Sequence, residues 1–258
     1  MDLDIENKNF IVCGAGAGFG RAIAEQLAEN GANVYAVSRT KEKLVELIDK
    51  YGSNITILTG DIMVDEVQDK VLGLLTGRTI SGVVINAAGP PAGSAQEIKL
   101  SQWDEAWTNI VRWKISFAKK LLPILKSQQY GRLIFIESVS VKEPVPNLVL
   151  SNSLRPAIVG FVSTLSREVA AEGITLNILA PGYHSTAAME RLFSKKAELQ
   201  NISIEEARKS FESEIPVGSM GTPEEMAGLA CWLLSPHSRY VTGQTITHDG
   251  GLVRSIFG

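Results

Sequence analysis

The chain has 258 residues, 45% of them hydrophobic, and a formal net charge of −3. That much apolar sequence suffices for a large core, and α/β chains of this length are commonly undivided, so one domain over 1–258 is expected. The charge balance argues against nucleic-acid or anionic-membrane partners, and no apolar run approaches the ~18 residues of a spanning helix.

The opening Met1-Asp2-Leu3-Asp4-Ile5-Glu6 is acidic and lacks the basic-then-apolar order of a secretion signal, so a cytoplasmic protein is expected. Short β-branched runs then alternate with longer helical patterns. Strands are predicted at 10–13, 33–37, 55–58, 82–85, 132–137, 175–179 and 245–247, and helices at 20–30, 41–51, 65–75, 101–127, 151–172 and 223–234. In the first helix Ile23, Leu27 and Ala28 share a face, with Glu25 and Glu29 on another. Apolar strands alternating with helices imply a parallel sheet covered on both faces, and right-handed crossovers make it a Rossmann-type doubly wound α/β sheet. Residues 187–217 break the rhythm with a charged helical insertion carrying Lys195, Lys196, Glu198, Glu205 and Glu206. It reads as a substrate lid or as a plain surface helical pair. Cys13 in an apolar strand and Cys231 in an apolar helix read as two buried free thiols, not a disulfide.

Gly14, Gly16, Gly18 and Gly20 follow the apolar Phe10-Ile11-Val12 and open the first helix. Bare glycines let the backbone approach a pyrophosphate, and the helix start supplies free N–H groups and the positive end of a dipole. A dinucleotide site is therefore expected. The end of the second strand, Ser38-Arg39-Thr40, holds no carboxylate to bind ribose hydroxyls and repel phosphate. It offers two hydroxyls and a guanidinium, which suit a 2′-phosphate and favour NADP(H) over NAD(H); a solvated strand-end arginine is the alternative.

The spacing Gly14-x3-Gly18-x-Gly20, with Phe19 where a third glycine would complete the other dinucleotide pattern, resembles the T-G-x-x-x-G-x-G turn of the short-chain dehydrogenase/reductase family. Gly60-Asp61-Ile62 is similar to that family's adenine-binding aspartate, and Asn86-Ala87-Ala88-Gly89 to its N-N-A-G motif. Gly131-Arg132, Pro181-Gly182 and Asp249-Gly250-Gly251 follow in the family's order, so the resemblance covers essentially the whole chain. It implies an NADP(H)-dependent oxidoreductase that interconverts a carbonyl and an alcohol, assembled as a homotetramer and needing no metal. It also implies cofactor contacts at Gly14, Gly16, Ala17, Gly18, Phe19, Ser38, Arg39, Thr40, Asp61, Ile62, Asn86, Ala87, Ala88, Gly89, Arg155, Pro181, Gly182, His184 and Thr186.

The catalytic positions depart from the family. Its members use Tyr-x-x-x-Lys on a helix, a serine about thirteen residues earlier, and an asparagine on the preceding long helix. Here Ser138 fits the serine, but the tyrosine and lysine positions hold Ser151 and Arg155, and the asparagine position holds Ile110 beside Asn109. The Ser-x-x-x-Arg pair resembles an atypical subgroup described by analogy as 3-oxoacyl-carrier-protein reductases or simple dehydrogenases. A serine hydroxyl does not ionise near neutrality as a phenol with a reference pKa of about 10 can be induced to do. Two readings follow. In one, a divergent reductase uses Ser138, Ser151 and Arg155, with Tyr183 or His184 as alternative proton donors and Arg112 and Glu137 near the crevice. In the other, the chain binds NADP(H) without redox chemistry, as a sensor or oligomer partner. Trp103, Trp107 and Trp113 on the 101–127 helix suit either a subunit interface or the core.

Overall fold

The computed structural model describes residues 2–256, the Leu199 side chain excepted; positions 1, 257 and 258 of the expected 1–258 domain lie outside the described residues. Seven parallel strands form one sheet in the order β3-β2-β1-β4-β5-β6-β7. They are β1 Asn9–Cys13, β2 Asn33–Ser38, β3 Ile55–Thr59, β4 Gly82–Ile85, β5 Gly131–Ile136, β6 Ile174–Pro181 and β7 Thr245–His248. The buried character of β1, β4, β5 and β6 on every residue shows why their sequences do not alternate: both faces of the sheet are covered.

One layer packs α1 Gly18–Glu29, α2 Lys41–Tyr51 and α9 Pro223–Leu234 through Leu27, Leu44, Leu47, Met226 and Leu234. The other packs α3 Asp65–Gly73, α5 Trp113–Gln128 and α6 Val149–Val169 through Val71, Phe117, Leu121, Ile158 and Val162. Helix α9 begins on a reciprocal cap: Thr222 Oγ1 accepts from the Glu225 N–H, and Glu225 accepts from the Thr222 N–H. Both cysteines are buried free thiols, as expected, and burial pushes each up to about 12.

The predicted 101–127 helix is a composite. Helix α4, Leu100–Ala106, runs through a π-helical turn, Trp107–Arg112, before α5 begins. The extra residue in that turn shifts the register, and Trp113 swings fully inside, its indole N–H donating to the Asn109 carbonyl at 3.0 Å. Trp113 is therefore a core residue and offers nothing to an interface, whereas Trp107 is exposed. The 187–217 insertion folds as α7 Ala187–Gln200 and α8 Ile204–Glu212 around a small core of Met189, Phe193, Ala207, Ile215 and Met220. Among the described residues no helix is long and apolar enough to cross a membrane.

Candidate active site

The strand order reverses between β1 and β4, and a cleft of about 500 Å³ opens there over the carboxyl ends of the strands. This is where open α/β sheets hold ligands. Its wall begins at the glycine turn. Gly14 and Gly18 have φ of 69° and 55°, backbone that favours glycine. A Cβ on Gly16 would lie 2.5 Å from Ser38 Oγ, and one on Gly20 would lie 2.4 Å from the Gly14 carbonyl oxygen. Asn86 locks the turn to β4, its side-chain amide donating to the Cys13 carbonyl at 3.3 Å. Helix α1 then starts with no side-chain cap and no acidic residue in its first turn, so its leading N–H groups are left for an anion.

Sixteen of the sequence-predicted cofactor contacts line this cleft: Gly14, Gly16, Ala17, Gly18, Phe19, Ser38, Arg39, Thr40, Asp61, Ile62, Asn86, Ala87, Ala88, Gly89, Arg155 and Thr186. Sequence reasoning missed Lys43 and Arg191, which join Arg39 on the lining from α2 and α7. Lys43 carried a signal, since it stands four residues beyond Arg39 at the start of a helix.

At the opposite end from Arg39, the ends of β5 and α6 build a buried polar chain. The Arg155 guanidinium donates through Nη1 to Glu137 Oε2 at 2.7 Å and through Nε to Ser151 Oγ at 3.0 Å. Ser151 Oγ is 2.9 Å from Ser140 Oγ, and the Ser140 N–H donates to Ser138 Oγ at 3.2 Å. Glu137 Oε1 accepts from Lys114 Nζ of α5, forming a buried ion pair. Burial pulls the Lys114 ammonium down to about 8. Glu137 and Arg155 line the cleft, whereas Ser138, half-buried, and Ser151, buried and bonded to Arg155 Nε, do not. Among the described residues no group of three or more His, Cys, Asp or Glu side chains is arranged to hold a metal.

Residues 14–253 match the family model described as enoyl-(acyl carrier protein) reductase. The chain belongs to this short-chain dehydrogenase/reductase family. The 3-oxoacyl-[acyl-carrier-protein] reductase FabG of Vibrio cholerae is 27% identical over 256 residues, covering 97% of this chain and 99% of that protein. Dehydrogenase/reductase SDR family member 4 of Oryctolagus cuniculus is 29% identical over 253 residues, 96% of this chain and 94% of its own. The L-sorbose reductase of Gluconobacter frateurii, solved with NADPH and L-sorbose, superposes with a TM-score of 0.93 at 25% identity, covering 99% of this chain and 100% of its own.

The structure places several of the expected residues off the cleft wall. Pro181, Gly182 and His184 do not line the cleft. Pro181 ends the buried β6, Gly182 packs on Asp249, and His184 is buried with its Nε2 2.8 Å from His248 Nδ1 and its ring edge-on to Phe19. That burial lowers the His184 pKa and leaves the imidazole no open face as an acid. Tyr183 is also turned away. Its hydroxyl donates to Glu214 at 3.3 Å, its ring packs on Phe211, and burial raises its phenol to about 12. Arg112 is exposed on the π turn, outside the cleft, whereas Glu137 stands inside it. Ile110, at the family's asparagine position, lies in the apolar core, and the neighbouring Asn109 accepts the Trp113 indole N–H through its backbone carbonyl.

Proposed function

We propose that this chain is an NADP(H)-dependent reductase that interconverts a carbonyl and an alcohol, 3-oxoacyl-reductase-like, with Ser138, Ser151 and Arg155 at its reacting end. The observation that carries the reading is the cleft's polarity: an uncapped helix start with Arg39 and Lys43 at one end, and the buried Ser151–Arg155–Glu137 chain at the other. The residues present fit a phosphorylated dinucleotide, since the glycine cradle has no room for Cβ atoms and the cations suit a 2′-phosphate. Ser38, Arg39, Thr40 and Lys43 would hold the 2′-phosphate, the glycine turn the pyrophosphate, Asp61 and Ile62 the adenine, and Asn86–Gly89 with Arg155 the nicotinamide half. When bound, the cofactor supplies a hydride to the carbonyl carbon.

The rest falls to the chain's own side chains. Ser138 orients the carbonyl oxygen by donating its hydroxyl. Arg155 brings a fixed positive charge that favours negative charge developing on that oxygen. Ser151 Oγ accepts a hydrogen bond from Arg155 Nε and shares another with Ser140 Oγ, in which either hydroxyl can donate. Without a phenol in the cleft, the proton comes through these hydroxyls or a bound water, and a loss of about 10²–10⁴-fold relative to a positioned acid is expected. Helices α7 and α8 act as a substrate lid, Ala187, Ala188 and Arg191 reaching the cleft from α7. A cytoplasmic homotetramer, the assembly the resemblance implies, completes the proposal.

Incubation with NADPH and a panel of ketones and β-ketoacyl thioesters, followed by cofactor absorbance, tests the reading; slow turnover of at least one carbonyl is expected. Tight NADPH binding with no turnover anywhere would favour the second reading, a cofactor-binding sensor, which the absence of a free phenol from the cleft lining supports. Arg39→Glu should raise the NADPH Kd by at least about tenfold while leaving NADH unimpaired, because one favourable charge contact becomes a repulsion worth upwards of roughly 1.4 kcal/mol. Equal effects on both nucleotides in binding titrations would place the 2′-phosphate elsewhere.

A further inference from the structure

The ion cluster below Arg155 holds more charge than its geometry needs. Glu137 has both carboxylate oxygens engaged, Oε1 by Lys114 and Oε2 by Arg155, and its side chain is wholly buried. Two cations on one carboxylate leave one net positive charge in an interior where only paired charges are well tolerated. One cation would already satisfy Glu137. The surplus lies against the cleft, because Glu137 and Arg155 line it, at the end away from Arg39. Arg155 Nη2 stands 3.0 Å from where a Gly89 Cβ would be, so a side chain there would press on the guanidinium. The cluster is no proton route to Ser151: Arg155 lies between Lys114 and Ser151, and a guanidinium does not give up its proton. What remains is position and field.

We propose that Lys114 and Glu137 are positioning residues that fix Arg155, and that the cluster's net positive charge makes the cleft hold NADPH more tightly than NADP+. The two nucleotides differ there by one positive charge on the oxidised ring, which the cluster repels. The inference rests on the NADP(H) placement of the reductase reading and deepens it by naming what biases the cleft towards reduction.

The test is binding without substrate: NADPH and NADP+ dissociation constants by isothermal titration, for the unaltered protein and for Lys114→Met. Lys114→Met leaves the neutral Glu137–Arg155 pair. The unaltered protein should bind NADPH more tightly, and the variant should lose about tenfold of that ratio, the scale of a unit charge screened by a protein interior. A merely structural role would weaken both nucleotides alike and leave the ratio unchanged. Should Lys114→Met fail to fold, the same ratio in the unaltered protein replaces it. The charged groups facing Lys114 are Glu137 and Arg155. The ratio should fall from neutrality to about pH 9 as Lys114 loses its proton; the 2′-phosphate is common to both nucleotides and cancels. A ratio near one in the unaltered protein, or a ratio indifferent to both Lys114→Met and pH, overturns the proposal. A shifting ratio in a protein that turns over no carbonyl upholds it and sinks the reductase reading instead.

Discussion

Glu137→Gln is expected to cost about 3–5 kcal/mol of folding stability. The amide keeps the carboxylate's shape but removes its charge, so Lys114 and Arg155 are left buried with nothing between them to neutralise either. Because the Glu137 side chain is wholly buried, solvent offers no screening to soften the loss. Arg155 keeps its charge under any accessible condition, so the only relief is for Lys114 to fold neutral. Burial has already pulled Lys114 down to about 8, which makes that relief cheaper as pH rises. The sign follows from proton linkage. The unfolded chain keeps Lys114 charged up to its ordinary range, the folded variant does not, and stability recovers with pH wherever the unfolded state holds more protons. Urea titrations at neutral pH and near pH 9 should thus show the gap between variant and parent narrowing. A gap that stays constant, or a loss below about 1 kcal/mol, would mean that Glu137 does not bind both cations in solution.

Gly20→Ala should cost less stability but strike the cofactor site directly. Gly20 lies in the first turn of α1, where alanine's helix propensity alone would add up to about 1 kcal/mol of stability. The added Cβ meets the Gly14 carbonyl oxygen at 2.4 Å and the Asn86 amide at 2.9 Å, and the first of these is backbone that cannot rotate away. Such overpacking typically costs 1–3 kcal/mol, which outweighs the propensity gain. Relief requires the glycine turn to open, so NADPH affinity should fall about ten- to a hundredfold. Gly73→Ala is the control: Gly73 is also helical, the last residue of α3, but its Cβ meets nothing within 4 Å, so stability should rise slightly with binding unchanged. Thermal melts and NADPH titrations of the two variants side by side separate the clash from a general intolerance of alanine.

The sheet and the cofactor half of the cleft were legible because their signals are local. An apolar strand, a run of alternating glycines and an arginine at a strand end each carry their meaning within a few residues, and Gly14 to Thr40 fold as read. The reacting end was only partly legible. Ser138, Ser151 and Arg155 could be located by counting, but Lys114 could not, because the π turn at Trp107–Arg112 resets the helical register that would place it opposite Glu137. The same turn decides between the two alternatives left open for Trp113, placing it in the core. His184 and Tyr183 looked available because they follow a strand end at the cleft. Sequence gives no hint that His248 and Glu214, 64 and 31 residues further along, already occupy them.

The most direct test of a reductase built on Ser138, Ser151 and Arg155 is isotope transfer. NADPH carrying deuterium at the transferred position of its nicotinamide would be incubated with the protein and each carbonyl of the panel, and the products examined by mass spectrometry. The geometry of this cleft predicts deuterium on the carbinol carbon of at least one alcohol, at a rate that falls when Arg155 is replaced by methionine. Stoichiometric NADPH binding with no labelled alcohol from any carbonyl would contradict it.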